Sequence, residues 1–181
     1  MLIVMAGLPG TGKSTIARRL ACELPAVLLD KDSIRAAIFP PSEIEYSVQQ
    51  DDLCMRVVLL VAQDILRRNL RKHIVVDGRP FSRRYQVMEC AKVAHGLGVP
   101  LSLIHCICSD ETARRRLESD TLGGSHVAAN RDYALYQSLK AHFEPIALEH
   151  LIVNTDEDVE ACVGLCLDYL RSVQQATTSG T

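Results

Sequence analysis

Near the start of the chain, Gly7-Leu8-Pro9-Gly10-Thr11-Gly12-Lys13-Ser14 has the spacing G-x-x-x-x-G-K-[ST]. Glycines at these positions let the backbone turn so that successive N–H groups point inward at phosphate oxygens. Lys13 adds a point charge for the outer phosphates, and the Ser14 hydroxyl suits one position on Mg²⁺, which keeps most of its waters. An apolar run precedes the motif and a helical pattern follows it, which is the context such a loop requires. Gly7, Leu8, Pro9, Gly10, Thr11, Gly12, Lys13, Ser14 and Thr15 are therefore the candidate contacts to a nucleoside triphosphate.

Three further groups carry charge to where phosphates react. Asp30, Asp32 and Arg35 form D-x-D-x-x-R at the end of a short apolar run. A carboxylate there can accept the proton of an attacking hydroxyl, and an Arg one helical turn further on can hold the acceptor. Asp30 and Asp32 compete for the base role, the other reading being a helix cap. Asp77 ends another apolar run, His73–Asp77, and is a candidate to orient magnesium directly or through water. Arg79, Arg83 and Arg84 follow it. Arg114, Arg115 and Arg116 sit together after the cap signal Ser109-Asp110-Glu111. Consecutive helical residues point about 100° apart, so no more than one or two of them reach one ligand. Arg131 is a second candidate of this kind.

These groups need elements to hold them. Strand-length apolar runs at Leu2–Ala6, Ala26–Leu29, His73–Asp77, Leu101–Ile107 and Leu151–Asn154 alternate with helical patterns at Lys13–Glu23, Ser33–Ile38, Val48–Arg71, Ser82–Gly96, Glu111–Leu117, Arg131–Phe143 and Val159–Val173. Strands that are apolar throughout are buried on both faces, and the alternation predicts an α/β fold with a parallel sheet between helical layers. Residues 1–173 are expected to form one domain, with a short lid at about 110–131 around the Gly123-Gly124 stretch, and residues 174–181 a disordered tail with nothing to bury.

The 181 residues carry 20 Lys plus Arg against 22 Asp plus Glu, a net charge of -2, with 4% aromatics and no Trp. That balance disfavours binding of duplex nucleic acid by bulk charge, and the aromatic scarcity disfavours base-stacking platforms. The odd number of cysteines, 7, without a C-x-x-C pair, reads as reduced core thiols of a cytoplasmic protein and not as a zinc site. No signal peptide or membrane span is legible.

Taken together, the motifs resemble those of small P-loop kinases of the nucleoside-monophosphate-kinase-like group, often labelled AAA-type ATPase-like kinases. The group includes polynucleotide 5′-kinase domains, chloramphenicol phosphotransferase, zeta-toxin-type kinases and adenylylsulfate kinase. The resemblance runs from Leu2 to about Leu170. It implies a five-stranded sheet in the order 2-3-1-4-5, ATP and Mg²⁺, and transfer of the γ-phosphoryl group to a hydroxyl of a small molecule. It also implies Asp32 as base, Arg35 on the acceptor, Asp77 at the third strand end and Arg116, with Arg114 or Arg115 as the alternative, as lid arginine. Asn154-Thr155 resembles the loop beside adenine. Polynucleotide 5′-hydroxyl kinase and a nucleotide-dependent regulatory ATPase are the alternatives. Two features depart from the group. Asp120 stands near the place where many relatives carry a second lid arginine, and Pro40–Asp52, where the resemblance implies that acceptor specificity would be built, departs from the named members of the group.

Overall fold

A computed structural model of the chain describes residues 1–123 and 132–179. The sheet is built on β1 (Leu2–Ala6), whose five residues are all buried. β2 (Val27–Asp30), β3 (Ile74–Asp77), β4 (Leu101–Ile107) and β5 (Leu151–Asn154) complete it in the order β2-β3-β1-β4-β5. Every pairing is parallel. This is the P-loop NTPase-like α/β architecture and strand order that the resemblance implied.

Strand side chains alternate between faces, and β1 divides accordingly. Leu2, Val4 and Ala6 join one core, where α3 (Val48–Arg68) and α4 (Arg84–Leu97) contribute Met55, Val58, Val87 and Cys90. Ile3 and Met5 join the other, with Ile16 and Leu20 of α1 (Lys13–Glu23) and Cys162 and Cys166 of α7 (Val159–Ser179). The remaining helices are α2 (Lys31–Ile38), α5 (Asp110–Gly123) and α6 (Tyr133–Ala141).

Element boundaries differ from expectation where a cap decides them. α2 starts at Lys31, two residues early, because the Asp30 carboxylate accepts from the Asp32 and Ser33 backbone N–H groups. α6 starts at Tyr133, with Asp132 accepting from Leu135 N. α3 ends at Arg68, where the N–H of Asn69 closes on Ile65 and Leu66 carbonyls. The expected disordered tail is corrected over much of its length, since α7 continues to Ser179. A helix satisfies its own backbone groups without burial, and Gln174 Nε2 lies 3.3 Å from His73 Nε2. All seven cysteines are free thiols, five of them buried. Burial pushes the Cys90, Cys106 and Cys166 thiols up to about 12. Among the described residues no cluster of His, Cys, Asp and Glu is arranged to hold a metal by itself. None of their helices is long and apolar enough to cross a membrane.

Candidate active site

The phosphate loop lies at the C-terminal end of β1, where open α/β sheets place ligands. Gly7, Gly10 and Gly12 all have positive φ. At Gly7 the fit is tightest, since a Cβ would stand 2.3 Å from the Cys106 carbonyl oxygen. Gly12 caps α1 with no side-chain hydrogen bond, so the first N–H groups of that helix are left for an anion. The Lys13 ammonium donates to Leu8 O at 2.7 Å, and so does the Thr11 hydroxyl, also at 2.7 Å. A cavity of 710 Å³ opens in front of the loop, lined by Gly10, Gly12, Lys13, Ser14 and Thr15 and by Asp77 from β3. Pro9 faces a second cavity on the other side of Lys13.

The two acidic candidates at the end of β2 separate cleanly. Asp30 spends its carboxylate on the α2 cap, taking Asp32 N at 3.3 Å, Ser33 N at 3.0 Å and the Ser33 hydroxyl at 2.6 Å. Asp32 is one residue inside the helix and 4% exposed. Its Oδ1 accepts from Arg35 Nη1 at 2.8 Å and lies 3.1 Å from the Lys31 ammonium. Asp32 lines both cavities, as does Lys13.

Asp77 pairs with Asp30 in the register of β2 and β3. It is 2% exposed, and its Oδ1 has no hydrogen-bond partner. A buried, unpartnered carboxylate oxygen in the same cavity as the Ser14 hydroxyl is a donor set that fits Mg²⁺, which takes oxygen ligands and few of them from protein. Gly78 follows with φ 93, and a Cβ there would stand 2.5 Å from Asp30 Oδ1. Only glycine lets the chain leave β3 this close to the α2 cap.

The second cavity measures 590 Å³ and extends from Lys13 and Asp32 past Lys31, Arg35 and Arg79. Arg35 is 2% exposed. It donates to Asp51 as well as Asp32, and its guanidinium stands 5.1 Å from the centre of the Tyr46 ring. Lys31 donates to the same Asp51 oxygen at 2.6 Å. Arg79, also 2% exposed, donates to Asp52 and to Tyr85 OH, the latter at 3.2 Å. Asp51, Asp52, Tyr46 and Tyr85 were not singled out from the sequence. The one local signal was an acidic pair whose first member, Asp51, lies in the first turn of a helix capped by Ser47, which as a pattern looks like ordinary dipole compensation.

The arginines of α5 divide. Arg116 reaches the nucleotide cavity, its Nη1 donating to Gly10 O at 3.2 Å and Thr155 Oγ1 at 3.0 Å and its Nη2 to Thr155 O at 2.7 Å. Thr155 in turn donates to Thr11 O at 3.0 Å, so this arginine braces the loop against the end of β5. Arg114 does not join the site. It pairs with Glu118 at 3.6 Å and lies over the Tyr133 ring at 4.7 Å. Asp120 lines the cavity one helical turn beyond Arg116. Arg131 lies outside the described residues.

Residues 2–146 match the AAA domain family. No curated protein matches the chain by sequence. Among solved structures, a gluconokinase from Sinorhizobium meliloti superposes with a TM-score of 0.69 at 17% identity, over 99% of this chain and 97% of that one. The Mycobacterium tuberculosis APS kinase CysC, in complex with AMPPNP and APS, gives 0.69 at 18% identity over 94% and 96%. Kti12 of Chaetomium thermophilum, in complex with ADP-AlF3, gives 0.67 at 19% identity over 96% and 98%. At these identities the likeness is one of fold.

Proposed function

The chain belongs to the AAA domain family, and we propose that it is an ATP- and Mg²⁺-dependent phosphotransferase acting on a hydroxyl of a small molecule. The observation that carries this reading is the pair of cavities meeting at Lys13 and Asp32. One cavity has the phosphate loop for the donor. The other has the volume and the buried polar groups of an acceptor site. A regulatory ATPase needs a positioned water in place of that second cavity. A polynucleotide kinase needs an open basic channel, whereas here Lys31, Arg35 and Arg79 are each matched by a carboxylate.

In this reading the loop N–H groups and the start of α1 hold the triphosphate, and Lys13 moves from Leu8 O onto its outer oxygens. Ser14 and Asp77 would hold Mg²⁺ in this cavity, where it would supply neutralisation of charge developing on the phosphates. Arg35, fixed by Asp51, holds the Asp32 carboxylate where it receives the proton of the attacking hydroxyl. The hydroxyl oxygen forms its bond to the γ-phosphorus while the bond to the ADP leaving oxygen breaks. Arg116 keeps the loop closed against Thr155 and lends positive charge to the donor side. The γ-phosphoryl group therefore lies between Lys13 and Asp32.

The likeness of fold to a gluconokinase and an APS kinase agrees with a hydroxyl acceptor. The test is a screen of ATP consumption against nucleosides, sugars, aminoglycosides and 5′-hydroxyl oligonucleotides, with the phosphorylated product identified by mass spectrometry. Lys13→Ala is expected to abolish nucleotide binding or turnover. Unchanged turnover in that variant rules out the phosphate-loop assignment.

A further inference from the structure

The walls of the second cavity divide by chemistry. Lys31, Asp32 and Arg35 come from α2, Asp51 from α3, and Arg79 and Arg83 from the turn after β3. α6 contributes nothing of that kind among the described residues. What it turns to the cavity is Leu135 and Leu139.

Four residues make about one helical turn, so the two leucines stand one above the other on the same face of α6. The rest of the helix explains why that face is turned to the cavity. Tyr136 donates to Asp110 Oδ1 at 2.7 Å, and the Lys140 ammonium donates to the same oxygen. Tyr136 is also buried in a small core with Ala113 and Leu117 of α5. These contacts fix the rotation of α6 about its axis. Tyr136 and Lys140 each follow a leucine by one residue, which sets the leucine face about 100° away from the anchored one. Neither leucine joins the side chains packed in the described cores. Both are half-buried, and the space beside them is the cavity.

A leucine exposed singly on a surface signals nothing. Here the two leucines share one space of 590 Å³ with Pro9 and with Val48, which is 62% exposed at the start of α3. The same space holds the proposed base, Asp32. Water against such a wall is displaced favourably by a hydrocarbon or an aromatic ring. A ligand polar all round would forgo that gain, and hydroxyls pressed on the leucines would lose hydrogen bonds to water. A cavity with an apolar wall and a few placed polar groups orients a ligand of matching polarity.

We infer that the acceptor is an alcohol carrying a hydrocarbon or aryl group, with its hydroxyl at Asp32 and its apolar group against Leu135 and Leu139. The inference rests on the phosphotransfer reading and adds the polarity pattern of the substrate. Leu135 and Leu139 are then specificity-determining residues supplied by a helix remote in sequence from the base.

The probe for the apolar wall is Nile red, an uncharged dye that brightens on leaving water. The protein is first saturated with Mg²⁺ and a non-hydrolysable ATP analogue, which fills the phosphate loop, and the dye is then titrated by fluorescence. The loaded wild type is expected to bind it stoichiometrically. Leu135→Asn and Leu139→Asn, each checked for unchanged nucleotide affinity, should bind it at least about tenfold more weakly. Absence of binding by the loaded wild type overturns the inference, whether or not the variants fold, and so does binding that both variants retain at full strength. Transfer is then compared on matched pairs, a sugar against its butyl and phenyl glycosides and a short diol against the same diol bearing a phenyl ring. The butyl and phenyl arms separate a hydrocarbon from an aryl group. kcat/KM should favour the apolar member by at least about tenfold, and Leu139→Asn should shrink that ratio to within about threefold. An equal or lower kcat/KM for the apolar members overturns the inference and leaves the kinase reading standing. No transfer to any alcohol, in these pairs or in the screen, counts against the kinase reading itself.

Discussion

Asp30 and Asp32 are two residues apart and chemically identical, so exchanging each for Asn isolates what position does. Asp32→Asn keeps the shape, and its amide oxygen can still accept from Arg35 Nη1, now at 2.8 Å. It removes the capacity to take a proton together with the negative charge that Lys31 and Arg35 meet. The loss expected for a general base is about 10²- to 10⁴-fold in kcat, with the KM for ATP within about threefold because the phosphate loop is untouched. Asp30→Asn changes a cap whose carboxylate holds Asp32 N and Ser33 N. Asn caps about as well as Asp, so stability should move by less than about 0.5 kcal/mol and kcat by less than about fivefold. Asp30→Ala removes the cap and should cost about 0.5–2 kcal/mol, or about 1–8 °C in Tm for a domain of this size. Its kcat should fall only as far as Asp32 is displaced. The assay is product formation with the acceptor that the screen identifies, alongside nucleotide titration and thermal denaturation. If Asp30→Asn is inert and Asp32→Asn is active, the assignment of the base is wrong.

Gly78→Ala places a methyl group 2.5 Å from Asp30 Oδ1 and 2.8 Å from Lys31 N at φ 93. Together with the weakened cap, the strain should cost about 2–4 kcal/mol in chemical denaturation, and a loss below about 0.5 kcal/mol would mean that the turn is not where the structure has it. Arg116→Ala removes the guanidinium that donates to the Gly10 and Thr155 carbonyls. Calorimetric titration should show nucleotide affinity about tenfold weaker, and unchanged affinity would remove Arg116 from the donor side. His105 is held near pKa 4, first by burial and then by the His150 and Lys13 charges. The unfolded chain takes that proton first, so its contribution is complete above the ordinary histidine range and is lost as pH falls toward 4. Between pH 7 and 4.5 the wild type should lose about 2 kcal/mol more than His105→Asn in denaturant titrations, and parallel losses would refute this.

How far the sequence disclosed the site depended on how far apart the partners lie along the chain. The phosphate loop was legible because all its parts are contiguous and its chemistry resides in backbone N–H groups that a fixed glycine spacing exposes. Asp32 and Arg35 were legible because one helical turn joins them. The strand order came from the resemblance, since the alternation of elements implies a parallel sheet without saying which strand is central. Asp51 and Asp52 were not legible as site residues. Their partners, Arg35 and Arg79, lie 16 and 27 positions away and meet them only after α3 packs over the ends of β2 and β3. The resemblance implies that acceptor specificity is built in Pro40–Asp52, yet composition alone could not show that the last two residues of this segment meet Arg35 and Arg79. The continuation of α7 to Ser179 was missed for a different reason. An exposed helix leaves no apolar stripe to detect.

The second cavity follows from strand register more than from any motif. β2 and β3 pair in parallel with Asp30 opposite Asp77. Counting two residues past that pair brings Asp32 after β2 and Arg79 after β3 to the same edge of the sheet. β1 pairs with β3 on its other side, and Gly7 N reaches Pro80 O, so the phosphate loop abuts the segment that carries Arg79. Three strand ends thereby place Asp32, Arg79 and the phosphate loop around one cavity without any of them being neighbours in sequence. A register slip of one residue would turn every strand side chain to the opposite face and separate Asp32 from Arg79. The alternating burial of Leu2, Ile3, Val4 and Met5 in two different cores forbids that slip. The hydrophobic pattern that holds the sheet in register is thus also what aligns donor and acceptor sites, and substitutions deep in β1 or β3 that loosen register should weaken transfer before they abolish nucleotide binding.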